Sequence, residues 1–176
     1  MATTKPDKLR VMVDANVLVA GLGWPRFPYE VLQHAVSGDY TLVLSPYIID
    51  EARKHYHRLF PDSIHSFEQF LDISQYEEVP TPDQEAVMAA GSLVRDLADV
   101  PVALAAINSG VDLLISQDND LTDRDETTEN LHQQLKIMLP GTFLRQYLGW
   151  SSEQLEAIRR RTWQDVNDHR DKPGGL

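Results

Sequence analysis

Three apolar residues, Val11-Met12-Val13, run without a break into an acid, Asp14. A short unbroken apolar run reads as a strand buried on both faces, the condition of a central strand in a parallel sheet. Asp14 then stands where the strand leaves the sheet, and in open α/β sheets ligands gather beyond the carboxyl ends of the strands. A carboxylate is costly to take out of water unless positive charge meets it. A helix N-terminus or a metal ion could supply that charge, so the rest of the chain has to offer Asp14 its partners.

The following segments alternate. Val17–Leu22 stays apolar until Gly21, Gly23 and Pro25 break it into a short turn or helix. Phe27–Ser37 places Tyr29, Val31, Leu32, Ala35 and Val36 at helical spacing, with Gly38 as the stop. Thr41–Leu44 predicts a second buried strand. Ser45-Pro46 then opens a helix, with Ser as cap and Pro at the first position. Its inward face is Ile48, Ile49, Ala52, Tyr56 and Leu59. Ser63–Ile73 predicts another helix, Tyr76–Val79 a weak strand, and Thr81-Pro82-Asp83-Gln84 a capping box that starts a helix reaching Leu93. Asp99-Val100-Pro101 begins a helix closed by Gly110; Asp112–Ser116 and Lys136–Leu139 read as the fourth and fifth strands. Thr122–Glu129 reads as a polar surface loop. Pro140–Leu148 is helical, and Ser151–Gln154 caps one last helix striped with Leu155, Ile158, Thr162, Trp163 and Val166, which should bury Trp163. This alternation predicts an α/β fold with a mainly parallel sheet.

Composition narrows the class. A chain of 176 residues, 42% hydrophobic and 24% charged, fits one soluble domain with its own core. No apolar run nears the about 20 residues of a membrane helix, and Met1–Arg10 carries no apolar export signal. The absence of cysteine excludes disulfides and thiolate metal sites and agrees with a cytoplasmic location. A net charge of −11 is opposite to that of a protein that coats nucleic acid, so any such activity must be local or helped by cations or a partner.

Four carboxylates fall at strand exits or helix starts: Asp14, Glu51, Asp99 and Asp118, the last with Asp120 behind it. Glu51 lies three residues after Ile48 and so shares its buried side, whereas Asp50 points outward. Mg²⁺ and Mn²⁺ prefer carboxylate and water oxygens, and either could activate water for displacement at phosphorus. Each acid also has a plainer explanation. Asp99 could be only an N-cap, Glu51 a solvated helix residue, and Asp118-Asn119-Asp120 turn chemistry. Asp14 resists such an account because it ends an apolar run.

The joint pattern resembles the PIN domain family of metal-dependent nucleases over Val11–Gly149. Asp14-Ala15-Asn16 is similar to the family's opening acid, Glu51 to the acid in the helix after the second strand, and Asp99 ahead of Pro101 to the third acid. Ser116-Gln117-Asp118 resembles its final Thr-x-Asp. The resemblance implies a five-stranded parallel sheet in order 3-2-1-4-5, a Mg²⁺ or Mn²⁺ site and hydrolysis of RNA phosphodiesters. Asp14, Glu51, Asp99 and Asp118 would be its catalytic and metal residues, with Asn16, Ser116 and Asp120 as cofactor-binding residues and Asn16 orienting Asp14 or a metal-bound water. Many small relatives are VapC-like toxins that form dimers and are neutralised by an antitoxin, which makes an antitoxin protein and a second copy of this chain the expected partners, with no membrane. Asp96 competes with Asp99 for the third position. The implied organisation is a PIN-like nuclease domain over 1–149, a C-terminal helix over 150–170 packed on that domain or on a partner, and a frayed end over 171–176.

Two basic runs, Lys54–Arg58 and Arg159-Arg160-Arg161, could meet phosphates or be solvated helix faces. Trp24 and Tyr47 flank the proposed site and could stack on bases, with burial in the core as the plainer expectation. Two other functions compete. A phosphatase with Asp14 as nucleophile would want a second acid two positions on, where this chain has Asn16. A non-catalytic PIN-like scaffold would have no need of all four acids.

Overall fold

The computed structural model describes residues 8–170. The first strand, β1 (Arg10–Val13), has Val11, Met12 and Val13 fully buried, because strands flank it on both edges and helices cover both faces. Helix α1 (Ala15–Gly23) starts directly at Asp14, and α2 (Phe27–Val36) follows a corner at Pro25. Strand β2 (Thr41–Leu44) leads through Ser45, whose hydroxyl accepts from Ile48 N, into α3 (Pro46–Leu59), as Ser-Pro predicts. Helix α4 (Ile64–Ser74) precedes the two-residue edge strand β3 (Glu77–Glu78). Helix α5 (Gln84–Ala89) comes next, and a 3₁₀ turn over Leu97–Asp99 opens α6 (Val100–Asn108). Strand β4 (Leu113–Ile115), the helical turn α7 (Asn119–Thr122), α8 (Glu129–Gln134) and β5 (Ile137–Met138) complete the sheet region. The chain finishes with α9 (Pro140–Tyr147), α10 (Ser152–Ile158) and α11 (Trp163–Arg170).

All pairings are parallel and the strand order is β3-β2-β1-β4-β5, as expected. Met12 stands opposite Val43 on one side and Leu114 on the other, so the β1 and β4 exits lie side by side. The bond from Asp14 N to Ile115 O, 2.9 Å, extends that ladder to the first acid. At the opposite end, Arg10 ties the short β3 to the sheet through both carboxylate oxygens of Glu77, and donates to Ser109 O.

Several expectations are corrected. Asp83 rather than Thr81 caps α5, accepting from Ala86 N at 2.8 Å, while Thr81 Oγ1 accepts from Tyr47 N. That helix ends at Ala89, and Leu93 is buried from the loop beyond it. Leu59 is exposed instead of facing the core. The loop expected over Thr122–Glu129 does lie there, between α7 and α8. The final helix is two helices. Arg161 turns back to Pro25 O and Glu30, and Thr162 and Asp165 exchange hydrogen bonds that start α11 afresh. Ile158 is buried and Leu155 half-buried, but Trp163 is 40% exposed, with its ring edge-on to Tyr29 and its Nε1 donating to Gly23 O at 2.8 Å. The expected frayed end at 171–176 and the polar start through residue 7 lie outside the described residues. No helix among the described residues is long and apolar enough to cross a membrane.

Candidate metal centre

Asp14 is held where β1 becomes α1. Its Oδ1 accepts from Ala15 N at 2.7 Å and its Oδ2 from the Ser116 hydroxyl at 2.8 Å. Ser116, fully buried at the end of β4, also accepts from Asp118 N at 3.0 Å. One hydroxyl thus ties the first acid to the backbone of the last. Its hydrogen bonds and burial let Ser116 hold Asp14 and Asp118 in place. Asp118 itself caps α7 through Asp120 N at 2.9 Å.

Asp99 arrives from the other side, at the start of α6, where Pro101 fixes the first turn. The plain N-cap explanation fails for it, because its side chain caps nothing. Asp96 performs the local capping, accepting from Ala98 N at 3.0 Å. Asp99 Oδ2 is buried with no hydrogen-bond partner. Oxygens of Asp14, Asp99 and Asp118 lie within 4.8 Å of one another. Burial, with Asp118, Asp14 and Asp96 adding like charge, pushes the Asp99 carboxyl up to about 8. Burial also raises the Asp14 carboxyl, opposed by the Ser116 and Ala15 bonds. Among the described residues, no lysine or arginine pairs with any of the three.

These residues fit a hard divalent cation. All the donors are carboxylate oxygens, they converge from three separate elements, and one oxygen lacks any other partner.

The other expected residues are placed differently. Glu51 lines the same cleft from α3 but stands outside the group of three, with Lys54 at 3.9 Å and His55 at 4.0 Å. Asn16 lines the cleft too, and its Oδ1 accepts from Gln117 N at 3.4 Å, which steadies the β4 exit. Asp120 belongs to a second group with Asp96 and Asp99, and Arg95 stands 3.7 Å from it.

The cleft holds about 420 Å³. Trp24, 42% exposed, forms part of its wall instead of the core, and the half-buried Tyr47 lines it while packing against the core. Tyr47 donates from its hydroxyl to Ala98 O at 2.8 Å, bracing the loop that delivers Asp99. Burial raises the Tyr47 phenol, and Glu51, Asp99, Asp14 and Asp96 reinforce the shift. The sequence holds a signal for Tyr47: it precedes Glu51 by four residues and so shares its helix face. Arg95 has none, since its partners are a distant loop.

The PIN domain family model matches residues 10–120. Two solved structures share the fold. One is VapBC2 from Rickettsia felis bound to a DNA fragment from their promoter, at 15% identity and TM-score 0.51, over 74% of this chain and 98% of that one. The other is PAE2754 from Pyrobaculum aerophilum, at 18% identity and TM-score 0.53, over 81% and 91%. No curated protein matches the chain.

Proposed function

The chain belongs to the PIN domain family, and on that premise we propose that it is a metal-dependent endoribonuclease that hydrolyses RNA phosphodiester bonds. The observation that carries this reading is the convergence of Asp14, Asp99 and Asp118 within 4.8 Å, with no lysine or arginine among the described residues pairing with them. Asp14, Asp99 and Asp118 would hold Mg²⁺ or Mn²⁺, which would supply Lewis-acid charge to a phosphate and lower the pKa of water. Glu51 lines the same cleft from α3, where it would bind metal or position the attacking water. Ser116 fixes Asp14 and the Asp118 backbone in register, and Asn16 holds the Gln117 peptide between them. The same arrangement disfavours a phosphatase, because Asn16 offers no acid two residues after Asp14 and its amide oxygen is already engaged.

The reading extends to a toxin of a toxin–antitoxin pair, with an antitoxin protein as partner, a homodimer as the working form and the cytoplasm as its setting. The similarity in fold to a VapBC2 chain supports that extension.

The test is cleavage of single-stranded RNA by purified protein with chelator, Mg²⁺ or Mn²⁺. The proposal expects cleavage only with metal, and none from Asp14→Asn or Asp118→Asn. Undiminished cleavage by Asp14→Asn would assign the activity to another site or to a contaminant. Labelled phosphate trapped on Asp14 would replace the nuclease with a phosphatase.

A further inference from the structure

Trp24 sits between two different environments. On one side is the acidic cleft. On the other is a second cavity, lined by Arg26, Gln117 and Arg159, which shares Ala20 and Trp24 with the first. A third cavity continues from it, sharing Phe27 and Gln117 and adding Arg145 and Leu155. The three together make a path along the strand exits, from β1 and β4 toward the end of β5, where Leu139 and Pro140 line its far part.

In a chain of net charge −11, the arginines on this path stand out. Arg26 and Arg145 are exposed and make no ion pair among the described residues. Among the described residues Arg159 pairs with Glu156 alone, three residues back, at 3.6 Å; with side chains 63% and 73% exposed, such a pair is weak and displaceable. The tail is fixed so as to bring Arg159 here. Arg161, 20% exposed, donates to Pro25 O and to Glu30 at 2.7 Å each, and Trp163 donates to Gly23 O. Trp24 is braced edge-on by Phe60, with ring centroids 5.4 Å apart, and remains 42% exposed at the rim of the cleft.

We infer that this path is a binding groove for single-stranded RNA, in which Trp24 stacks on an unpaired base beside the acidic cleft and Arg26, Arg159 and Arg145 meet successive phosphates. The inference rests on the nuclease reading and deepens it, giving the tail beyond the family match a role in holding substrate. An exposed ring takes a base face whatever the base, and guanidinium groups match phosphate oxygens in pairs. An acidic peptide could meet the arginines, but it would leave the ring without a partner.

The experiment measures binding of a short fluorescein-labelled oligoadenylate to the full-length protein in chelator, by anisotropy across a salt series. Trp24→Ala should weaken binding about tenfold, and Trp24→Phe should restore most of it. The triple variant Arg26→Ala, Arg145→Ala, Arg159→Ala should lower the slope of log K against log salt by about 2. Wild type that does not bind the oligonucleotide, a triple variant with an unchanged slope, or equal binding of a polyglutamate of the same charge would overturn the groove. Cleavage with Mg²⁺ or Mn²⁺ is scored separately. Cleavage with KM unchanged in the triple variant overturns the groove and leaves the activity. Binding that depends on Trp24 and the arginines, without cleavage, defeats the activity and leaves the groove.

Discussion

Two sets of acids crowd the end of β4, and the protein treats them in opposite ways. Asp120, Asp123 and Asp125 gather around Arg95, at 3.7 Å, 3.6 Å and in direct contact, and Thr127 Oγ1 accepts from its Nε at 2.9 Å. That set is held by one arginine from within the fold, and it pins the loop after α7 to the segment that precedes Asp99. Asp118, only two residues from Asp120, joins Asp14 and Asp99 instead, where no described cation reaches. One acidic stretch thus builds a closed structural clasp and one edge of an open site. Acidity alone does not separate them; the presence or absence of an arginine does.

The largest effect that should separate the two sets is on catalysis. Asp118→Asn should reduce RNA cleavage by about two orders of magnitude or more, and Ser116→Ala by about 10–100-fold, because it frees the first carboxylate from its orienting hydroxyl. Asp123→Asn should leave the rate within about twofold, since Arg95 keeps its other partners. Steady-state cleavage assays on the three variants check this, and a loss in Asp123→Asn equal to that in Asp118→Asn would erase the distinction.

The second effect is on pH dependence. In chelator, Asp99 has a folded pKa of about 8, above its unfolded value, so the folded state binds more protons between the two. The stability it contributes is complete below the unfolded pKa and is lost as pH rises through about 8. Thermal melts in chelator should therefore fall from about pH 6 to about pH 9 in wild type and fall less in Asp99→Asn. Divalent metal should flatten the wild-type slope as well.

Smaller effects concern the clasp and the tail. Arg95→Ala should lower stability by about 1 kcal/mol, since its partners are partly exposed and screened. Salt should shrink that difference in denaturant melts. Trp163→Ala should cost about 1 kcal/mol as well, from the lost bond to Gly23 O and the contact with Tyr29.

The sheet is legible because its signals are local. An apolar run ending in Asp14, the Ser45-Pro46 start and the Asp99–Pro101 spacing each fix an element by short-range chemistry, and strand order comes with the family resemblance. Where several local signals compete, tertiary contacts decide. Thr81 and Asp83 could both cap α5, and Thr81 is drawn off by Tyr47 N. The stripe from Leu155 to Val166 has helical period, but Arg161 is pulled out to Glu30 and a second capping pair at Thr162 and Asp165 breaks it. The site is legible in its acids and illegible in its walls. A carboxylate after a strand carries its own signal, whereas Trp24 and Tyr47 have the same composition whether they pack in a core or line a cleft. Ser116 is legible as a hydroxyl two residues before Asp118, but its burial and its bond to Asp14 are not, because sequence gives proximity without packing.

Asp14, Asp99 and Asp118 make a site whose mutual repulsion a divalent cation would relieve. Asp99 tests it most cleanly, because its Oδ2 has no hydrogen-bond partner to lose. The measurement is the melting temperature of wild type and Asp99→Asn at about pH 8, each in chelator and in saturating Mg²⁺. Metal at about 100 times its Kd should add about 2.7 kcal/mol, a rise of about 5–10 °C for a chain of this size. Wild type should show that rise, Asp99→Asn should melt above wild type in chelator, and Mg²⁺ should add little further to the variant. Wild type that ignores Mg²⁺, with Asp99→Asn simply less stable, would contradict it.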